Sequence, residues 1–287
     1  MSDDGAHGLT LIAFVGSVFS PYYAWARRRG AAPAAEHCAV NVALYGPRGR
    51  WAMTERGAAR IARSDASLTI GPSSLHWDGA ALEIALDERC APLPKRIRGR
   101  IRLLPSSLGD RSFFLDDAGM HRWTPFAPRA RIEVNLEQPG LDWRGDAYLD
   151  SNDGDGPLEE TFRSWTWSRA NLRDGTLVLY DTVPRTSAPR SWALQFDAAG
   201  AARRLALPPP VELDTTGWRV GRRTRADAGA AARVIATFED GPFYARSLLE
   251  TRLYGETAQA IHESLSLDRF RAPWVQCLLP FRMPRAF

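Results

Sequence analysis

Arg131-Ile132-Glu133-Val134-Asn135-Leu136-Glu137 is the stretch that decides the architecture. Apolar and polar residues alternate in it without a break. Ile132, Val134 and Leu136 therefore fall on one face of an extended chain, and the polar residues fall on the other. A Pro139-Gly140 turn follows, and a second extended segment carries Trp143, Ala147 and Leu149 at matching parity. Together they read as a β-hairpin. Further out, Ser191-Trp192-Ala193-Leu194-Gln195-Phe196 alternates in the same way, and Val234-Ile235-Ala236-Thr237-Phe238 nearly so. Thr176 to Tyr180 is a continuous apolar, β-branched run ending at Asp181, and turn signals recur at Trp77-Asp78-Gly79, Asp197 to Gly200 and Asp240-Gly241-Pro242. Many short strands separated by such turns predict an all-β protein, a sandwich or a barrel, with few short helices. Gly57 to Arg63 and Leu158 to Trp165 are the expected helices, the second with Glu159 and Glu160 in its first turn. The loop Asn152 to Pro157 predicts a division into two domains, residues 1–156 and 157–287, each the size of a small β-barrel.

The composition excludes several classes. The chain has 287 residues, 45% of them hydrophobic and 24% charged, with ten tryptophans, which is enough apolar material for a packed core. The net charge is only +4, and no dense basic run accompanies it, so nucleic acid is not an expected partner. Lys95 is the sole lysine; every other basic side chain is arginine. Cys38, Cys90 and Cys277 are odd in number and far apart, which fits a reducing compartment and gives no disulfide framework. The apolar stretch Leu9 to Ser20 is too short to span a bilayer, and Asp3 and Asp4 stand where a secretory signal would carry positive charge. His7, His37, His76, His121 and His262 never pair at metal-ligand spacing, so no metal is expected. Gly71-Pro72-Ser73-Ser74-Leu75 lacks the second glycine of a nucleophile elbow.

Two short pairs remain, His121-Arg122-Trp123 and Tyr148-Leu149-Asp150. On strands, the outer members of each pair share a face, so an imidazole, a carboxyl and two π-faces could converge on one cavity. Against this, Arg144, Asp146, Tyr148 and Asp150 have one parity and read equally as a solvent face. Spacing alone leaves both readings open.

The stretch Phe14-Val15-Gly16-Ser17-Val18-Phe19-Ser20-Pro21-Tyr22-Tyr23-Ala24-Trp25-Ala26-Arg27 closely resembles the N-terminal signature of bacterial carotenoid 1,2-hydratases, also called hydroxyneurosporene synthases. The resemblance continues through residues 37–46, 51–56 and 71–75, then Leu136-Glu137-Gln138-Pro139-Gly140, Tyr148-Leu149-Asp150-Ser151-Asn152 and Trp165-Thr166-Trp167-Ser168-Arg169-Ala170. It covers most of the chain and thins after about residue 185. What it implies is a fold of two lipocalin-like (calycin-type) β-barrels and cofactor-independent addition of water across the C1=C2 bond of acyclic carotenoids such as neurosporene and lycopene. It also implies active-site roles for the residues matching the family's His-x-Trp and Tyr-x-Asp motifs, His121, Trp123, Tyr148 and Asp150, with Asp150 as the acid. No cofactor is expected.

The chemistry fits these residue types for reasons independent of the family. An alkene is a very weak base, so its protonation is the hard step. A carboxyl group serves as acid near neutral pH only where burial keeps it protonated. The tertiary cation left at C1 suits surrounding π-faces, of which Trp123 and Tyr148 are two. His121 either holds the capturing water or orients Asp150.

Trp165 and Trp167 are candidates for lining a polyene tunnel, although paired tryptophans in β-proteins are more often core. Tyr22, Tyr23 and Trp25, beside Arg27-Arg28-Arg29, either dock on anionic lipid or cover a barrel mouth. Tyr180-Asp181 reads as a strand end running into a turn, and His262, Glu263 and Asp268 read as solvated or inter-barrel structural groups. A lipid-dissolved substrate and no spanning segment imply a cytoplasmic protein, peripheral on the inner or intracytoplasmic membrane. The competing functions are a non-catalytic isoprenoid carrier and a related double-barrel enzyme acting on another isoprenoid or a polyketide. Oligomeric state is not legible.

Overall fold

The strand His121–Gln138 and its partner Leu141–Gly154 form the expected hairpin, turning at Pro139-Gly140. In a computed structural model, which describes residues 1–286, the protein is built almost wholly of such antiparallel strands, with a few helices of nine residues or fewer. The chain forms two units. One comprises residues 1–105, 130–148 and 276–287, and the other 106–129 and 149–275. The sequence placed a single boundary after residue 156. Each unit draws on more than one segment of the chain, which passes from one to the other within the two hairpin strands, at 129/130 and 148/149.

In the first unit, a sheet ordered Gly8–Phe14, Cys38–Tyr45, Arg50–Arg56 is closed by Arg285–Ala286, which pairs in parallel with the last of these. A larger sheet runs from the hairpin through Arg96–Pro105, Leu82–Arg89, Ser73–Trp77 and Ser67–Ile70 to Ile61–Arg63. Val40, Val42 and Leu44 of the smaller sheet share one buried cluster with Ile84, Leu86, Ile97, Ile101, Ile132, Val134 and Leu136 of the larger. The alternation in 131–137 is thus a ladder with one face on this core. Gly99 sits where the register slips between Asn135 and Gln138, at φ 149°, and a Cβ there would meet the Asn135 carbonyl oxygen at 2.3 Å. Only glycine allows so close a backbone approach at this bulge.

The second unit is a seven-stranded antiparallel sheet. Its order is Ala202–Arg204, Arg190–Phe196, Gly175–Pro184, Phe162–Leu172, Glu256–Ser266, Tyr244–Leu253, Arg233–Asp240. A separate two-stranded ribbon pairs Pro210–Leu213 with Arg222–Arg225. Ala170, Leu177, Leu179, Ala193, Leu249, Leu253 and Ala260 form its aliphatic cluster.

Both expected helices are cut short. Ala58–Arg60 is a single 3-10 turn, after which Ile61–Arg63 pairs with Ser67–Ile70. Leu158–Thr161 makes one helical turn, and Phe162 already begins a strand paired on both sides. In each case the sheet ladder supplies long-range hydrogen bonds that outweigh a weak local preference. Among the described residues no helix is long and apolar enough to cross a membrane.

Candidate active site

The second unit gathers its largest side chains around one end of the His121–Gln138 strand. The entry to that strand is fixed by Asp116, whose carboxylate accepts the backbone N–H groups of Met120 at 2.9 Å and His121 at 2.8 Å. Phe113–Phe114 then folds back to pair with Arg122 and Trp123. His121 and Trp123 point the same way, and each is 1% exposed. The indole N–H of Trp123 donates to Asp150 Oδ2 at 2.8 Å. That bond resolves the parity ambiguity: Asp150 is half-buried against an aromatic wall rather than displayed on a solvent face.

The wall is continuous. Tyr180 packs edge-on against Trp123, Trp165 and Trp192, with ring centroids 5.5, 6.1 and 6.2 Å away. Phe113 and Phe196 flank Trp123 at 5.4 and 6.5 Å, and Phe162 joins Trp165 to His121. Tyr180 is fully enclosed and donates its hydroxyl to Asn152 Oδ1 at 3.3 Å. Burial pushes its phenol well above the ordinary tyrosine range, so it stays neutral.

His121 is neutral for a similar reason: burial lowers its pKa, against weaker pulls from Asp116, Asp155 and Asp153. Its Nε2 is bonded to Thr161 Oγ1 at 2.9 Å, and its Nδ1 lies where a Cβ on Gly154 would come within 2.2 Å. The imidazole makes no hydrogen bond with Asp150. A side chain at position 154 would collide with this ring, so only glycine leaves room for it there. Tyr148 sits two positions before Asp150 on the same strand.

The remaining sequence candidates divide. Trp165 belongs to the wall, and Trp167, 8% exposed, lies buried further along the same strand, opposite Tyr180 in register. Tyr22, Tyr23 and Trp25 lie on the helix Pro21–Arg29 of the first unit and have partners there. Tyr23 stacks on His37 at 4.6 Å, Trp25 donates to Gln276 Oε1 at 3.2 Å, and Tyr22 packs edge-on against Trp25. All three are half-buried.

Sequence reasoning missed Tyr180, Trp192, Phe196, Phe113 and Phe162 as wall residues. Tyr180 lies in mid-strand, within Gly175–Pro184, not at a strand end. Asp181 beside it pairs with Arg225 at 2.6 Å. The parity of Trp192 and Phe196 was the available signal, but it could not say which strand those rings would face. His262 is not solvated. It is 1% exposed, bonded to Ser168 Oγ at 2.7 Å and Ser264 Oγ at 3.0 Å, and burial lowers its pKa to about 3. Among the described residues no group of three or more His, Cys, Asp or Glu could hold a metal ion.

The fold is that of a crystal structure assigned to AttH from Nitrosomonas europaea, matched over 92% of this chain and 88% of the other, at 13% identity and a TM-score of 0.60. A crystal structure of CghA with Sch210972 matches over 93% and 86%, at 14% identity and a TM-score of 0.50. These likenesses define an all-β architecture and nothing of the chemistry. The profile of the carotenoid hydratase CrtC family matches residues 11–287, and the chain belongs to that family. An acyclic carotenoid 1,2-hydratase of Thiocapsa roseopersicina is 58% identical over 99% of this chain and 71% of its own length. Those of Rubrivivax gelatinosus and Cereibacter sphaeroides are 48% and 42% identical, over 99% and 96% of this chain and 71% and 98% of theirs.

Proposed function

We propose that the protein is a hydro-lyase that adds water across the terminal C1=C2 bond of an acyclic carotenoid of the neurosporene or lycopene type. Membership of the family supports the reaction class. The observation that carries the mechanism is the Trp123–Asp150 hydrogen bond inside an aromatic wall.

The indole is a donor only. With Asp150 Oδ2 accepting from it, the carboxylic proton resides on Oδ1. Transfer of that proton to C2 breaks the Oδ1–H bond, uses the alkene π-pair to form C2–H, and leaves a tertiary cation at C1. As Asp150 becomes a carboxylate, its bond from Trp123 turns charge-assisted and strengthens, so this donor stabilises the transition state more than the ground state. Each desolvated aromatic ring whose face meets the cation supplies cation–π stabilisation on the order of 1–2 kcal/mol. A water oxygen then bonds to C1, and the proton it releases returns to Asp150. Tyr148 adds a further aromatic group on the Asp150 strand. His121, neutral and engaged with Thr161, acts as a positioning residue that holds the Gly154 end of that strand.

The decisive experiment incubates the pure protein with lycopene in water labelled with heavy oxygen. Label in a tertiary 1-hydroxy product is the expected result. Bound but unchanged pigment would identify a carrier instead, and a cyclised or isomerised product a different isoprenoid enzyme.

A further inference from the structure

We propose that the Trp218 turn and residues 273–275, both in the second unit, form a docking surface for an anionic bilayer, centred on Trp218 and Trp274. These two indoles stack on each other in the open, with ring centroids 6.2 Å apart and planes 18° apart, yet remain 44% and 48% exposed. Large aromatic side chains left in water in a paired arrangement, rather than folded into the core, mark an interaction surface.

Trp218 lies at the tip of the turn that joins Pro210–Leu213 to Arg222–Arg225, and Trp274 lies on the helix Pro273–Leu278. Arg269 clamps the turn in place. It donates to the Trp218 carbonyl at 2.8 Å and the Pro242 carbonyl at 2.6 Å, and its guanidinium lies 5.5 Å from the Trp274 ring. The Asp240 carboxylate accepts the backbone N–H groups of Gly217 at 2.7 Å and Trp218 at 3.3 Å. The rings are therefore presented on a fixed base.

The occupant follows from charge and ring chemistry. Arg219 and Arg271 flank the pair, are exposed, and make no ion pair among the described residues. Asp240 is tied to the turn backbone, and Asp268, the acid next to Arg269, is paired with Arg185 at 2.6 Å. Tryptophan settles at the headgroup level of bilayers, and arginine beside it meets anionic lipid phosphate. The choice of a bilayer over another protein rests on the carotenoid reading above, because such a substrate is dissolved in lipid. The helix Pro21–Arg29, the sequence's own candidate for lipid docking, has its aromatic rings half-buried against partners of the first unit.

The test is flotation of the full chain with vesicles of phosphatidylcholine alone or mixed with phosphatidylglycerol, without pigment. The expected result is binding to the mixed vesicles that weakens with added salt. Trp218→Ser with Trp274→Ser should lower the partition about tenfold or more, and Arg219→Glu with Arg271→Glu at least fivefold per site. Among the described residues the arginine pair makes no side-chain hydrogen bond or ion pair, so it reports on docking even where the tryptophan pair disturbs folding. Turnover of pigment delivered in detergent micelles should be unchanged in all of these variants, which keeps failure of docking separate from failure of the hydratase reading. The proposal is overturned if the parent does not float, if the variants float equally well, or if the tryptophan variant converts a dimer to a monomer without loss of flotation.

Discussion

The interiors of the two units are built from different materials. The first is aliphatic, with valine, leucine and isoleucine from two sheets interdigitated in one cluster. The second has a smaller aliphatic cluster of leucines and alanines, and elsewhere holds tryptophan, tyrosine and phenylalanine around a carboxyl group, with histidine and serine buried in hydrogen-bonded chains. Two acids sharpen the contrast. Glu88 of the first unit is fully buried. Burial pushes its carboxyl upward, and Arg56 at 2.7 Å and Ser73 at 2.7 Å pull it back. It is held as half of an ion pair, which is a structural state. Asp150 of the second unit accepts a hydrogen bond from the neutral indole of Trp123 at 2.8 Å and serves as the acid in the mechanism proposed above. The two carboxyls thus meet different donors, a guanidinium for Glu88 and an indole for Asp150.

The comparison can be broken most severely at Asp150. Asp150→Asn should lower turnover about ten-thousandfold while leaving pigment binding nearly intact. A single-turnover assay with lycopene checks this, and near-normal turnover would remove Asp150 from the mechanism. Glu88→Gln should do the opposite, costing about 3–5 kcal/mol of stability by stranding Arg56 with no change in specific activity of the folded fraction. Urea unfolding alongside the same assay separates the two. Trp123→Phe keeps an aromatic ring, smaller than the indole, and removes the N–H donor. Its kcat should fall about a hundredfold with substrate affinity little altered, whereas an equal loss in binding would mean the indole serves only as wall.

The remaining effect is a pH slope. His262 has a folded pKa of about 3, below its value in the unfolded chain. Above about pH 6.5 both states are neutral there and stability is unaffected. Below it the unfolded state takes up a proton that the folded state refuses, so stability falls by about 1.4 kcal/mol per pH unit toward about pH 3. Thermal unfolding between pH 7 and 4 should show this loss, and His262→Gln should flatten it.

Much of this was legible beforehand, for identifiable reasons. The strand at 131–137 and the strands at 191–196 and 176–180 followed from alternation and β-branching, because one buried face imposes a period of two. The two members of the Trp123–Asp150 hydrogen bond were both singled out, in His121-x-Trp123 and Tyr148-x-Asp150. Their union was not legible, since parity gave Asp150 an outward and an inward reading alike. Tyr180 was misread as a strand end because Asp181 looked like the start of a turn. Its salt bridge to Arg225, 44 residues away in sequence, is what lets the strand continue. The helices predicted at 57–63 and 158–165 were shortened by ladders with partners no local window contains.

By itself, then, the sequence determined the all-β class, the short strands and the identity of the chemically able residues, since these depend on periodicity and residue type within a few neighbours. Only the tertiary structure decided that Trp123 bonds Asp150, that His121 bonds Thr161, and that Trp218 and Trp274 are left in water. Those outcomes depend on contacts between residues far apart along the chain, and the free energy of such contacts exists only once the strands are paired.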